Sequence, residues 1–147
     1  MFDYENRTAY WVNRLSFVIR AEAQRRFRAA GYPLTAEEWA MLMLLWGRPP
    51  QTMTELAAKS LRDRTTVTRL IDSMVAKDLL IRENDPADRR RILIMPSDKG
   101  AALEGPLSAI TSEFLQKAAE GLDQVEIDLT NRVLARMMSN LTGDREN

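Results

Sequence analysis

Residues 52–77 read TMTELAAKSLRDRTTVTRLIDSMVAK, and this stretch decides the fold. Thr52-Met53-Thr54-Glu55 is a capping box, in which the hydroxyl accepts from a first-turn N–H and the glutamate reaches back. It opens a short helix with Leu56 and Ala57 turned inward, ending near Ser60 or Leu61. Asp63 then caps a longer helix from Arg64 to about Lys77, whose Val67, Leu70, Ile71, Met74 and Val75 form one apolar stripe. The opposite face near its start carries Arg64, Thr65, Thr66, Thr68 and Arg69. Arginine pairs bidentately with guanine, and threonine bonds base edges or touches a thymine methyl. A helix N-terminus also favours phosphate, and Asp72 stands at i+3 from Arg69, where it would hold that guanidinium. Short helix, tight turn, longer helix is the order of a helix-turn-helix that sends its second helix into a major groove. A merely solvated helix face is polar too, but threonine is a mediocre helix former, and three in four positions are unusual for idle surface.

Downstream the period changes from helical to alternating. Residues 79–83 read as a strand, 84–88 as a turn and 91–95 as a returning strand. Asp88-Arg89-Arg90-Arg91 places three guanidinium groups beside the turn. An arginine entering a narrow minor groove gains from its enhanced negative potential. A solubilising charge run would look similar. Asp85 and Asp88 fit ion-pair partners for these arginines better than a metal pair, so no metal and no cofactor are expected. Two further helices follow, about 97–121 and 124–142, with Pro106 implying a kink or a later start in the first. The last carries Val125, Leu129, Val133, Met137 (or Met138) and Leu141, a stripe suited to a partner helix or to its own domain.

Upstream, a helix runs from about Tyr4 to Ala30 and stops at Gly31-Tyr32-Pro33. Thr35 to Glu38 is a second capping box, opening a helix with Trp39, Leu42, Met43 and Trp46 that Gly47 and Pro49-Pro50 close. The 147 residues contain neither cysteine nor histidine. That excludes disulfides, thiolate metal sites and redox thiols, and removes the commonest general base. Net charge is zero, yet 59–91 holds nine Lys/Arg against six Asp/Glu, while 92–147 holds five against nine. Such asymmetry leaves a basic face on a neutral protein. No apolar run approaches the roughly 18 residues of a membrane span, and the polar, acidic start is unlike a signal peptide. A cytoplasmic protein that is not an enzyme is the expectation.

The order Thr52 to Ala57, Arg64 to Asp72, Lys77-Asp78-Leu79-Leu80, Asp85-Pro86-Ala87-Asp88-Arg89-Arg90 and Pro96 to Gly100 resembles the MarR family of regulators. The hairpin motif, D-P-x-D-R-R followed by a strand and a helix opening near K-G, is its most specific part. The resemblance implies a mainly α fold with a small β-hairpin wing: a winged helix-turn-helix over 35–96, with dimerisation helices at 1–31 and 97–147. It implies a homodimer, triangular, with the first and last two helices interlocked and the winged parts on successive grooves of a near-palindromic double-stranded DNA. Arg64, Thr65, Thr66, Thr68 and Arg69 would then face the major groove. Arg90 would be the wing-tip arginine oriented by Asp88, with Arg89 on phosphate and Arg91 beside them. Two positions depart from the family. Ser60-Leu61-Arg62-Asp63 lacks the turn glycine of many members, and Asp78 stands where glycine is usual. Many relatives release DNA on binding a small aromatic or phenolic ligand between dimerisation helices and winged part. Trp11, Phe17, Trp39 and Met43 lie on the corresponding helices, although aromatics at helical spacing are more often core. The alternative to a DNA-binding repressor is a winged-helix protein-interaction module that has lost DNA.

Overall fold

The computed structural model describes residues 6–143. In chain order the elements are α1 (Thr8–Ala29), α2 (Ala36–Leu45), β1 (Gln51–Thr52), α3 (Met53–Ser60) and α4 (Arg64–Ala76). There follow β2 (Leu80–Asn84), β3 (Ile92–Pro96), α5 (Asp98–Ala102), α6 (Glu104–Ala118) and α7 (Gln124–Thr142). The expected start of the first helix near Tyr4 lies outside the described residues. The chain divides into two compact units, Met1–Ser112 and Glu113–Asn147.

The fold is the expected mainly α arrangement with a small antiparallel sheet, and two details differ from the sequence reading. The hairpin gains a third strand: β1 pairs with β3, Gln51 opposite Ile94 and Thr52 opposite Leu93, giving the order β1-β3-β2. Thr52 is thus the last residue of a strand and the N-cap of α3, accepting from the Glu55 N–H at 3.3 Å. The helix expected over 97–121 is two helices meeting at Leu103, and Pro106 sits in the first turn of α6. Proline is tolerated there because a first-turn N–H has no intrahelical acceptor to lose.

The core of the first unit gathers Phe27 from α1, Trp39, Leu42 and Leu45 from α2, Leu56 from α3, and Val67, Ile71 and Met74 from α4. Phe27 and Trp39 meet edge to face at 5.5 Å between centroids. Each large side chain so buried is worth about 1.5–3 kcal/mol. Glu38 is also buried, and both its oxygens are used: one accepts from the Thr35 N–H at 3.0 Å, the other from Lys77 at the end of α4. A buried carboxylate persists only when paired and hydrogen-bonded in this way. The pair fastens the start of α2 to the end of α4.

A second fastening joins α5 to the turn after α4. The Ser97 N–H donates to Leu79 O at 3.1 Å, its hydroxyl to Asp78 O at 2.6 Å, and Lys99 Nζ to Lys77 O at 2.9 Å. The Trp46 indole N–H donates to Gly100 O at 3.0 Å. Such close approach requires a residue without a side chain, since a Cβ on Gly100 would lie 2.0 Å from Leu79 O.

Both departures from the family's glycines adopt left-handed backbone, Leu61 at φ 54° and Asp78 at φ 57°, the non-glycine residues that do so among those described. A left-handed conformation costs a Cβ-bearing residue roughly 1–2 kcal/mol. The turn geometry is therefore kept and strain is accepted. Because the Leu61 side chain is exposed, Leu61→Gly loses little packing. Allowing for glycine's extra unfolded-state entropy, the substitution is expected to stabilise by about 0.5–1 kcal/mol, a rise of roughly 2–4 °C. A thermal midpoint unchanged or lowered by Leu61→Gly would show that the turn carries no such strain.

Candidate nucleic-acid interface

Helix α4 presents its polar face as the sequence suggests, but its hydroxyls are not equivalent. The Asp63 carboxylate accepts from the Thr66 N–H at 2.9 Å and from the Thr66 hydroxyl at 2.6 Å. These two bonds, hydroxyl first, hold the Asp63 carboxyl below its ordinary range. A negative charge therefore already caps the N-terminus of α4. The Thr68 hydroxyl donates to Arg64 O at 2.8 Å. Thr65 stands exposed between Arg64 and Thr66, and Arg69 is exposed on the next turn. Asp72 does not hold Arg69. It pairs with Arg82 on β2, because strand register brings that guanidinium to α4 whereas Arg69 projects to solvent.

The hairpin loop, residues 85–91, is organised by its two aspartates. Asp85 N–H donates to Arg91 O and Arg91 N–H to Asp88 O, each at 2.9 Å. Asp85 Oδ1 accepts from the Ala87 N–H at 2.9 Å, the side-chain turn that favours Asp at such positions. Asp88 Oδ1 accepts from the Arg90 N–H at 3.1 Å and from Arg90 Nε at 3.2 Å. The Arg90 N–H, then its guanidinium, keep the Asp88 carboxyl below its usual range. Arg91 pairs with Asp85 at 3.3 Å, and Arg89 is exposed beside them. The aspartates are thus ion-pair partners, and among the described residues no group of His, Cys, Asp or Glu is placed to hold a metal. Arg91, expected to open the returning strand, lies in the loop one residue before β3 begins.

Between α4 and the hairpin runs a cleft of about 650 Å³. Arg64 and Thr68 line it from α4, Arg82, Arg90 and Arg91 from the hairpin, and Thr54 from the start of α3. Arg82 belongs to this set but was missed in the sequence. Its signal was weak: a lone arginine two residues past Leu80 on an alternating strand.

The four residues considered for a ligand are not brought together. Trp39 is core, whereas Trp11, Phe17 and Met43 are exposed, Trp11 edge-on to Tyr10 at 5.1 Å. Of the four, only Phe17 lines the open groove of about 620 Å³ between α1 and α2, with Arg20, Gln24, Arg28 and Glu37. The exposed apolar residues continue along α1 as Val12, Leu15 and Val18, and α7 buries none of its described residues. Among the described residues no helix is long and apolar enough to cross a membrane.

Comparison with known proteins places these features in context. The MarR family model matches residues 34–92. The HTH-type transcriptional regulator YkoM of Bacillus subtilis is 32% identical over 91 residues, a match spanning 62% of this chain and 59% of that regulator. The crystal structure of transcriptional regulator PA3341 superposes with a TM-score of 0.81 at 27% identity, covering 94% of this chain and 100% of that one. The transcriptional repressor CouR, bound to a 23-mer DNA duplex, shares the fold, with a TM-score of 0.79 at 22% identity and coverage of 91% and 94%.

Proposed function

We propose that the chain is a MarR-family transcriptional regulator, the family whose model matches residues 34–92, and that it is a sequence-specific double-stranded DNA-binding repressor acting as a cytoplasmic homodimer. The observation that carries this reading is the cleft. The Arg/Thr face of α4 and the arginines of the hairpin line one opening, and aspartates already hold Arg90 and Arg91. Fixed guanidinium groups lose less conformational freedom on binding an anion. Thr65, Arg64 and Arg69 read bases in the major groove, with Thr66 and Thr68 contributing methyl groups and lone pairs. Arg90 enters the minor groove, Asp88 orients it, and Arg89 and Arg91 meet phosphates. A second copy covers the exposed apolar faces of α1 and α7, and the pairing sets the spacing of the two half-sites. A small aromatic or phenolic ligand seated in the α1–α2 groove at Phe17 would release DNA by favouring another spacing of the α4 helices.

The test is fluorescence anisotropy on duplexes selected from a random pool, at two salt concentrations. A selected near-palindrome should bind far more tightly than random duplex and lose affinity steeply with salt. Arg90→Ala should weaken every duplex on the order of tenfold, whereas changes at Thr65 or Arg69 alter which bases are preferred. If no sequence is enriched, with or without candidate ligands, the winged-helix interaction module becomes the better description.

A further inference from the structure

The cleft between α4 and the hairpin has a consequence for how a duplex lies on the protein. In B-form DNA a major groove and the adjacent minor groove are separated by one sugar–phosphate strand. If α4 occupies the first and the hairpin tip the second, that strand must pass between them. We propose that the cleft seats this backbone, that Arg82 is its central phosphate contact, and that Asp72 positions Arg82 for it. The proposal rests on the DNA-binding reading given above.

The composition of the cleft fits a polyanion. Arg64, Arg82, Arg90 and Arg91 line it against a single carboxylate among the lining residues, Glu83. Three of the four arginines are held by an aspartate: Arg90 by Asp88, Arg91 by Asp85, and Arg82 by Asp72. The first two pairs lie within the hairpin loop. The Arg82 pair is different, because Asp72 belongs to α4 and Arg82 to β2, so the bond ties the helix to the hairpin. A guanidinium has five N–H donors in a rigid fork, so one carboxylate contact leaves the remainder for phosphate oxygens. Asp72 thus does for Arg82 what Asp88 does for Arg90. The site serves duplexes of any sequence, since phosphate contacts fix register without reading bases.

The experiment uses the full chain, with anisotropy on both the selected and a random duplex across a salt series. Arg82→Ala should lose about tenfold on both duplexes alike and reduce the salt slope by about one. Arg82→Lys should recover part of the loss. Asp72→Asn removes a negative charge beside Arg82, so charge alone predicts tighter binding to a polyanion, whereas positioning predicts binding about threefold weaker. In an Arg82→Ala background the same change should weaken nothing further, as a double-mutant cycle requires when one residue acts through the other. Thermal midpoints within a few degrees of the parent establish that the variants are folded. Arg82→Ala with parental affinity and slope, or with altered base preference, overturns the phosphate assignment. Asp72→Asn binding more tightly than the parent overturns the positioning role. A parent chain that enriches no duplex fails earlier, at the DNA-binding reading itself.

Discussion

Gly100→Ala is expected to destabilise the protein by about 3 kcal/mol or more, at the upper end of what overpacking costs. The added Cβ would stand 2.0 Å from Leu79 O, and both partners are backbone, so neither wall can rotate away. Relief requires α5 to lift from the turn after α4. That movement stretches the Ser97–Leu79, Ser97–Asp78, Lys99–Lys77 and Trp46–Gly100 hydrogen bonds together. A net hydrogen bond is worth only ~1 kcal/mol, but a buried carbonyl or hydroxyl left without a partner costs ~1–3 kcal/mol. For a chain of this size the thermal midpoint should fall by roughly 10 °C. Lys99→Ala removes one exposed bond from the same junction and should cost less than about 1 kcal/mol. The two melting curves decide the matter. A Gly100→Ala midpoint within ~3 °C of the parent would mean that α5 does not need this close approach.

Val133→Glu is expected to dissociate the proposed dimer and lower operator affinity on the order of a hundredfold or more. Along α7, Val125, Leu129, Val133, Met137 and Leu141 recur every fourth residue, all of them exposed. Apolar surface contributes roughly 25 cal/mol per Å² when a partner covers it. A carboxylate at the middle of that stripe would have to be desolvated among apolar side chains. Joining two half-site contacts in one molecule multiplies affinity by ~10²–10⁴, and a monomer forfeits that factor. Asn131→Glu adds the same charge at an exposed polar position of α7 and should leave the dimer intact. Sedimentation equilibrium and operator anisotropy read both consequences. Val133→Glu sediments as a monomer if α7 pairs the subunits, and as the parent if it does not.

What the sequence disclosed was mostly local. The starts of α2, α3 and α4 were legible because each is written in four residues, a cap and the residue three on. The stripe of α4 was legible because helical period and burial coincide at Val67, Ile71 and Met74. The hairpin showed in its turn residues. What remained hidden was non-local. Strand β1 is two residues long, has no period, and is defined by partners at Leu93 and Ile94. Asp72 had a plausible local neighbour in Arg69, and the tertiary pairing with Arg82 prevailed. Asp63 was recognisable as a cap, yet its second bond, from the Thr66 hydroxyl, follows only from seeing the side chains in place. Exposed apolar residues on α1 were indistinguishable from core by spacing, since a helix shows the same stripe to its own fold and to a partner. Leu61 and Asp78 teach the opposite lesson. The Leu61 side chain argues against a left-handed turn and Asp78 only tolerates one, yet the surrounding fold imposes it at both.

The three tryptophans divide the molecule among themselves. Trp11 is exposed on the apolar face of α1, Trp39 is in the core against Phe27, and Trp46 is hydrogen-bonded at the α5 junction. Indole emission depends on local polarity, so the chain carries its own set of optical reporters. Versions keeping a single tryptophan would signal subunit pairing, core integrity and junction geometry as separate colours, without any dye attached.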